Sequence, residues 1–388
     1  MTKQNTTNGK RMYRHFTHLT ERLAGRLRLR HMVLAAMLVA VTAFRTIPGF
    51  GYKYTTCIYS HIAKIMSINS GQFAFAIGDL FIAASVVWIV LYPIYSTVCK
   101  KRRISASLLR VGEFLLWVYV WFYAAWGINY SQPNIFVRMG MKPVKVSDGK
   151  FRNFALCYAD SLNSTYKECE GRIPHAYSTA DDRQNEVAIY EYRQKAITQI
   201  QYGYRQLNDS MGINRPFTRY ARPKTMVFSR LASAAGVTGS MGPFFSEFTI
   251  NADVLPHDYP ATCAHEYAHF LGIANEGEAN FYSYVVCTSS ADPALRFSGY
   301  YSILFHMLAN VRDILGEKEY AKYLARIRPE IVSLARRDRQ YWLSRHSRMI
   351  DSTQNFFYNL YLKGNNVEGG MKSYSGVVAI IMAWEARR

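Results

Sequence analysis

The chain has 388 residues, 49% of them apolar and 15% aromatic, and a formal net charge of +20. That length admits two domains, and that composition points to a membrane protein with a soluble part. A nucleic-acid binder this basic would carry the charge on its folded domain; here residues 1–130 hold 16 Lys and Arg against three acids, +13 of the +20, beside apolar runs. The expected partner is therefore a lipid bilayer and not nucleic acid.

The amino-terminal tail contains Lys3, Lys10, Arg11, Arg14, Arg22, Arg26, Arg28 and Arg30. It leads into HMVLAAMLVAVTAFRTIPGF, from His31, which Arg45 interrupts. A basic region of about 30 residues and the lack of a small-x-small cleavage pattern argue against a signal peptide. Next comes LFIAASVVWIVLYPIYSTV, Leu80–Val98, with no charge, and then FLLWVYVWFYAAWGINY, Phe114–Tyr130, edged by Trp and Tyr. A spanning helix needs about 20 mostly apolar residues, so three transmembrane helices are predicted at about 31–50, 79–98 and 111–130. Buried core helices are the alternative, most readily for the first.

Lys100, Lys101, Arg102 and Arg103 open the loop between the second and third spans, whereas only Lys53 and Lys64 lie between the first two. The positive-inside rule places the tail and the Lys100–Arg103 loop in the cytoplasm. Everything beyond Tyr130 is then outside the cytoplasmic membrane, extracytoplasmic or periplasmic.

Residues 131–388 are enough for one further domain. SQPNIFVRMGMKPVKVSDG reads as the exit from the membrane, and Lys150–Met211 has helical periodicity. Between Pro223 and Asn251, short β-prone runs alternate with glycines, and FFSEFTI, Phe244–Ile250, is the best strand. The pattern is helical again after Ser298, and the late run GVVAIIMAW is too short to span and reads as a core helix. The fold class is mainly α with a small β-sheet (α+β). None of the six cysteines forms a CxxC pair; Cys157 and Cys169 could pair in an oxidising space, and unpaired thiols are equally allowed.

The stretch ATCAHEYAHFLGIANEGEAN, Ala261–Asn280, carries the chemistry. Residues four apart share a helix face, so His265 and His269 can direct their imidazoles to one point. Glu266 is one step round, within reach of a metal-bound water without binding the metal. This is the H-E-x-x-H pattern of two zinc ligands and a general base. A surface helix with two histidines is the plain alternative. The small and apolar neighbours Ala261, Cys263, Ala264, Tyr267 and Ala268 instead mark a buried helix, where imidazoles need partners. A catalytic zinc site wants a third protein ligand and an open position. Gly272 can end the helix and Asn275 can cap a second one, EGEANFYSYVV. Glu278 falls where a capping-box glutamate reaches back to the cap amide. That leaves Glu276 as the favoured third ligand, with Glu278 the alternative, and Asn280 one turn on as a residue that orients a ligand.

H-E-x-x-H followed by E-x-x-A-[ND], here Glu276, Ala279 and Asn280, resembles the glutamate-zincin (gluzincin) metallopeptidases. The resemblance implies one zinc ion per chain held by His265, His269 and Glu276, with Glu266 as catalytic base, and a zincin-like metallopeptidase domain following the spans. The two motifs lie closer together here than in many such enzymes. It also implies that Phe244–Ile250 is an edge strand that binds a peptide substrate by strand addition, with Glu247 and Thr249 lining the cleft; an ordinary buried strand is the alternative. His306 and Tyr374 are candidates to stabilise the transition state, against plain packing. FAIGDL, WGINY, SEFTIN, HEYAHFLGIANEGEANF and YLKGNNVEGGMKSYSG together resemble an uncharacterised bacterial family of membrane-anchored H-E-x-x-H proteins, a domain of unknown function. The expected function is peptide-bond hydrolysis by a zinc-activated water. The rival readings are a non-catalytic zinc-binding membrane scaffold and a zinc amidohydrolase acting on cell-wall or lipid-linked amides.

Overall fold

Among the described residues of the computed structural model, three helices are long and apolar enough to cross a membrane: α1 (Leu29–Thr46), α2 (Ile77–Val98) and α3 (Ile104–Ala125). The structure describes residues 29–144, 147–174, 183–207, 209–348, 350 and 376–387. Val86, Val87, Val90, Leu91 and Ile94 of α2 and Leu108 and Leu109 of α3 are all more than half exposed. An apolar belt of this extent suits lipid rather than water. Between the spans, Trp88 of α2 stacks on Tyr92 and packs on Phe114 of α3, each with ring centroids 4.8 Å apart.

The span boundaries differ from those read by hydropathy. α3 begins at Ile104, ahead of the expected 111, because backbone hydrogen bonds extend a helix through Ser105, Ser107 and Arg110 whatever their polarity. It ends at Ala125, so WGINY leaves the span as a 3-10 turn, Gly127–Ser131. The segment joining α1 to α2 is helical: Phe50–Lys53, a π-helical stretch Tyr54–Tyr59, and Ser60–Ser70. Tyr54 and Tyr59 are buried there with Trp126, Ile128 and Ala274 in a small second core that joins the spans to the rest of the molecule.

The main core is built from α4 (Asp148–Glu168), α5 (Arg183–Gln206), α6 (Tyr259–Phe270), α7 (Glu276–Thr288) and α8 (Pro293–Leu315), with α11 (Gly376–Glu385) packed beside α7. Before α11 come α9 (Glu317–Arg326) and α10 (Pro329–Arg345). α6 lies at the centre. Tyr267 packs on Tyr204 of α5 at 5.2 Å between ring centroids, and Phe270 on Phe217 at 5.2 Å. All residues of α6 except Thr262 and His265 are buried, as its small and aromatic composition requires. The six cysteines are free, so Cys157 and Cys169 do not pair.

A three-stranded sheet covers α6, in the order β1 (Lys224–Thr225), β3 (Glu247–Ile250), β2 (Gly239–Gly242). β1 runs parallel to β3 and β2 antiparallel, with Ser240 opposite Thr249 and Gly242 opposite Glu247. Of the expected strand Phe244–Ile250, only Glu247–Ile250 is extended. Phe244 to Ser246 form the turn from β2, where Ser246 takes a positive φ of 48°. The tip of this hairpin rests on the spans: Phe244 lies 5.1 Å from Phe81 between ring centroids, and Trp121 Nε1 donates to Phe244 O at 3.0 Å.

Candidate metal centre

One helical turn separates His265 from His269, and their Nε2 atoms stand 3.0 Å apart. After α6 the chain turns at Gly272, whose φ of 99° suits glycine. A Cβ there would also lie 2.8 Å from Thr55 Cγ2, so the position admits the helix between the first two spans. Asn275 caps α7, its side chain accepting from Glu278 N at 3.1 Å. Glu276 opens α7 and brings Oε2 to 3.1 Å from His265 Nε2 and 3.5 Å from His269 Nε2.

Glu278 points elsewhere, because two residues along a helix are about 200° round its axis. Its carboxylate accepts from Ile135 N at 2.8 Å and from Arg138 Nη2 at 2.6 Å. The reach back to the Asn275 amide expected of a capping-box glutamate gives way to this buried ion pair, which offers the carboxylate stronger, charge-assisted donors.

The three side chains have the geometry a divalent cation needs. A zinc tetrahedron with bonds of about 2.0–2.1 Å has edges of about 3.3–3.4 Å, and the three ligand-atom separations are 3.0, 3.1 and 3.5 Å. His269 Nδ1 lies 2.6 Å from Ile273 O. A carbonyl only accepts, so Nδ1 carries the hydrogen and Nε2 turns to Glu276. His265 Nδ1 lies 2.8 Å from Asn280 Oδ1, which orients the second ring in the same sense. Two imidazole nitrogens and a carboxylate oxygen facing one another require a cation or a proton between them. With no cation, burial opposes a charged His269, but Glu276 outweighs it and raises the imidazole to about 9.

Glu266 lies beside this cluster. It is 5% exposed, and its Oε2 is buried with no hydrogen-bond partner among the described residues. Burial raises its carboxyl above the usual range, against the pull of His265 and His269. Gly239 of β2 lies against it; a Cβ there would come within 2.6 Å of Glu266 Cγ.

A cleft of about 1280 Å³ opens over the cluster, and Thr249, Asn280, His265, Glu266, His269 and Glu276 all line it. Thr249 is held by its hydroxyl, which donates to Ser240 O at 3.3 Å. Glu247 does not line the cleft. Its carboxylate pairs with Lys224 and accepts from Ile77 N at 3.3 Å and Gly78 N at 2.8 Å, capping α2. β3 is the central strand, so both its edges are taken and it offers none to a substrate; the edge strand on the cleft is β2. His306 is half-buried on α8 and is not among the cleft-lining residues. Tyr374 lies outside the described residues.

A family model described as a protein of unknown function (DUF3810) matches residues 54–382. The chain belongs to that family. No curated protein and no solved structure matches the chain. The part matched to DUF3810 includes α2 and α3 as well as the sheet and the α6–α7 hairpin.

In this DUF3810 chain, segments from several parts of the fold, the candidate spans among them, brace α6. The last carbonyls of a helix lack partners within it; at and just past the end of α6, four consecutive carbonyls accept from distant side chains. Trp126 Nε1 donates to His269 O at 3.3 Å, Tyr59 OH to Phe270 O at 2.8 Å, Asn214 Nδ2 to Leu271 O at 3.0 Å and Gln132 Nε2 to Gly272 O at 2.6 Å. Sequence reading misses these donors. It shows that the carbonyls need partners but not which distant residues supply them. Gly239 is missed likewise, although the glycine-rich GVTGSMG marks a place of close backbone approach.

Proposed function

We propose that the chain is a membrane-anchored, zinc-dependent metallopeptidase of the gluzincin type. His265, His269 and Glu276 hold one zinc ion, and Glu266 is the general base. The observation that carries this reading is the convergence of three ligand atoms within 4.8 Å of one another beside a buried Glu266 oxygen with no partner among the described residues. Zinc held there supplies Lewis acidity and lowers the pKa of water from about 15.7 to near 7. Glu266 would then take the proton of the attacking water and pass it to the departing amine. Asn280 and the Ile273 carbonyl hold the two imidazoles in register. The free edge of β2 offers backbone N–H and C=O groups to an extended peptide. The basic tail and the Lys100–Arg103 loop support an orientation in the cytoplasmic membrane with the metal centre outside.

The test is Glu266→Gln in the full chain. The expected result is about one zinc per chain, an unchanged melting temperature and turnover of a peptide pool reduced by roughly 10²- to 10⁴-fold. Cleavage that survives Glu266→Gln unchanged would falsify the mechanism. A folded wild-type chain that takes up no zinc would overturn the enzyme reading itself.

A further inference from the structure

The cleft does not stop at the metal centre. Its far wall is formed by Ile82 of α2 and Leu115, Val118, Tyr119 and Phe122 of α3, all on membrane-spanning helices. Ile82 and Leu115 are 48% and 47% exposed, so the wall is open. Leu115 lies six residues before Trp121, about 9 Å down the helix. An exposed tryptophan near a span end sits at the membrane interface, which puts Leu115 below it, at the level of the acyl chains. Between this wall and the ligands runs Ala235–Phe244, containing β2, which among the described residues pairs in the sheet only with β3.

Apart from the two histidines of the cluster, the titratable side chains that line the cleft are acidic or tyrosine. Asp79, Asp258, Glu266 and Glu276 line it, with no Lys or Arg among its described lining residues. Away from the histidines, a phosphate-bearing lipid head group would meet carboxylates and no Lys or Arg among the described lining residues. A neutral or basic backbone segment would meet a strand edge and favourable charge.

We infer that the substrate is a membrane-anchored polypeptide, bound as an extended segment immediately outside its own transmembrane helix, and admitted from the bilayer between α2, α3 and β2. The apolar wall holds the end of the substrate's span while β2 pairs with the segment that follows, and the metal centre stands at the far end of that segment. This rests on the peptidase reading and names its substrate class. It also accounts for the placement of Phe244 on Phe81 and Trp121, which fixes the substrate-side strand to the helices from which the substrate comes.

The test uses binding, so that it does not depend on turnover. The full-length Glu266→Gln chain, with a photoreactive benzophenone side chain at Val118, is reconstituted in nanodiscs. It is exposed to a pool of single-span peptides with randomised outer segments, or to the same segments without the span. The expected result is labelling of the anchored pool at least about ten-fold above the soluble pool, because confinement raises the effective concentration, and suppression by excess unlabelled anchored peptide. The same probe at Leu109, 75% exposed on the lipid side, is expected to give only unsaturable labelling. Leu115 is a second position for the probe should the Val118 variant not fold. Equal labelling by both pools, labelling of phospholipid alone, or anchored labelling at Val118 no more saturable than at Leu109 overturns the inference. Failure of the peptidase reading shows separately, as a zinc-loaded wild-type chain that hydrolyses no peptide.

Discussion

At the residue scale, two glutamates two positions apart have opposite duties. Glu276 faces the histidines, and Glu278 forms a buried pair with Arg138 in which both side chains are under a tenth exposed. Glu276→Gln is expected to lose zinc while leaving the fold intact, read by metal analysis and thermal melting of the full chain. Glu278→Gln is expected to keep zinc but lower stability by about 3–5 kcal/mol, because it leaves Arg138 charged and buried without its partner. The reverse pattern would assign the third ligand to Glu278. Glu266 depends on a neighbour with no side chain. In Gly239→Ala the new methyl group displaces the Glu266 carboxylate, a flexible end that can move. The expected outcome is turnover down by about ten-fold or more with zinc retained and stability within about 1 kcal/mol.

At the element scale, α6 is held at both ends. Its carboxyl end is met by the donors from the membrane side, and His257, just before its start, is buried against Asp338 of α10 with Nε2 to Oδ2 at 2.8 Å. Tyr301 of α8 shares the same carboxylate. Burial lowers the His257 pKa, but Asp258 and Asp338 outweigh it, and the net shift is upward. A histidine raised on folding contributes stability that is complete below its unfolded value of about 6.5 and is lost as pH rises through the folded value. Asp338→Asn should therefore destabilise the chain most below about pH 6.5. The difference from wild type, read as melting temperature against pH, should shrink above it. A difference that grows with pH would show that His257 is neutral in the folded chain.

At the scale of the whole molecule, the spans and the part that holds the His265–His269–Glu276 cluster cannot be separated without cost. Removing residues 1–130 takes away Tyr59 and Trp126, which donate to two carbonyls of α6, and the α2 amides that donate to Glu247. It also removes every buried member of the second core except Ala274, which is left uncovered. The 131–388 fragment is expected to be aggregated and poor in zinc beside the full chain, read by gel filtration and metal analysis. A folded, zinc-loaded fragment would reduce the spans to a simple anchor.

Much of this was legible from residue order because it rests on local physics. Runs of apolar residues give helices long enough to span, and a glycine and an asparagine at Gly272 and Asn275 end one helix and start the next. Spacing of four puts His265 and His269 on one face, and the small sheet lies where β-prone runs alternate with glycine. What tertiary structure alone decided are the partners. The sequence favoured Glu276 through a capping-box role for Glu278, whereas Glu278 faces Arg138, 140 residues away in the chain. It marked Glu247 and the strand around it for the cleft, whereas strand order makes β3 central and commits Glu247 to Lys224 and α2. Periodicity and capping reach only a few residues along the chain. A carboxylate chooses among donors that folding brings from anywhere in it, so the helices could be read from the sequence but the destinations of the buried charges could not.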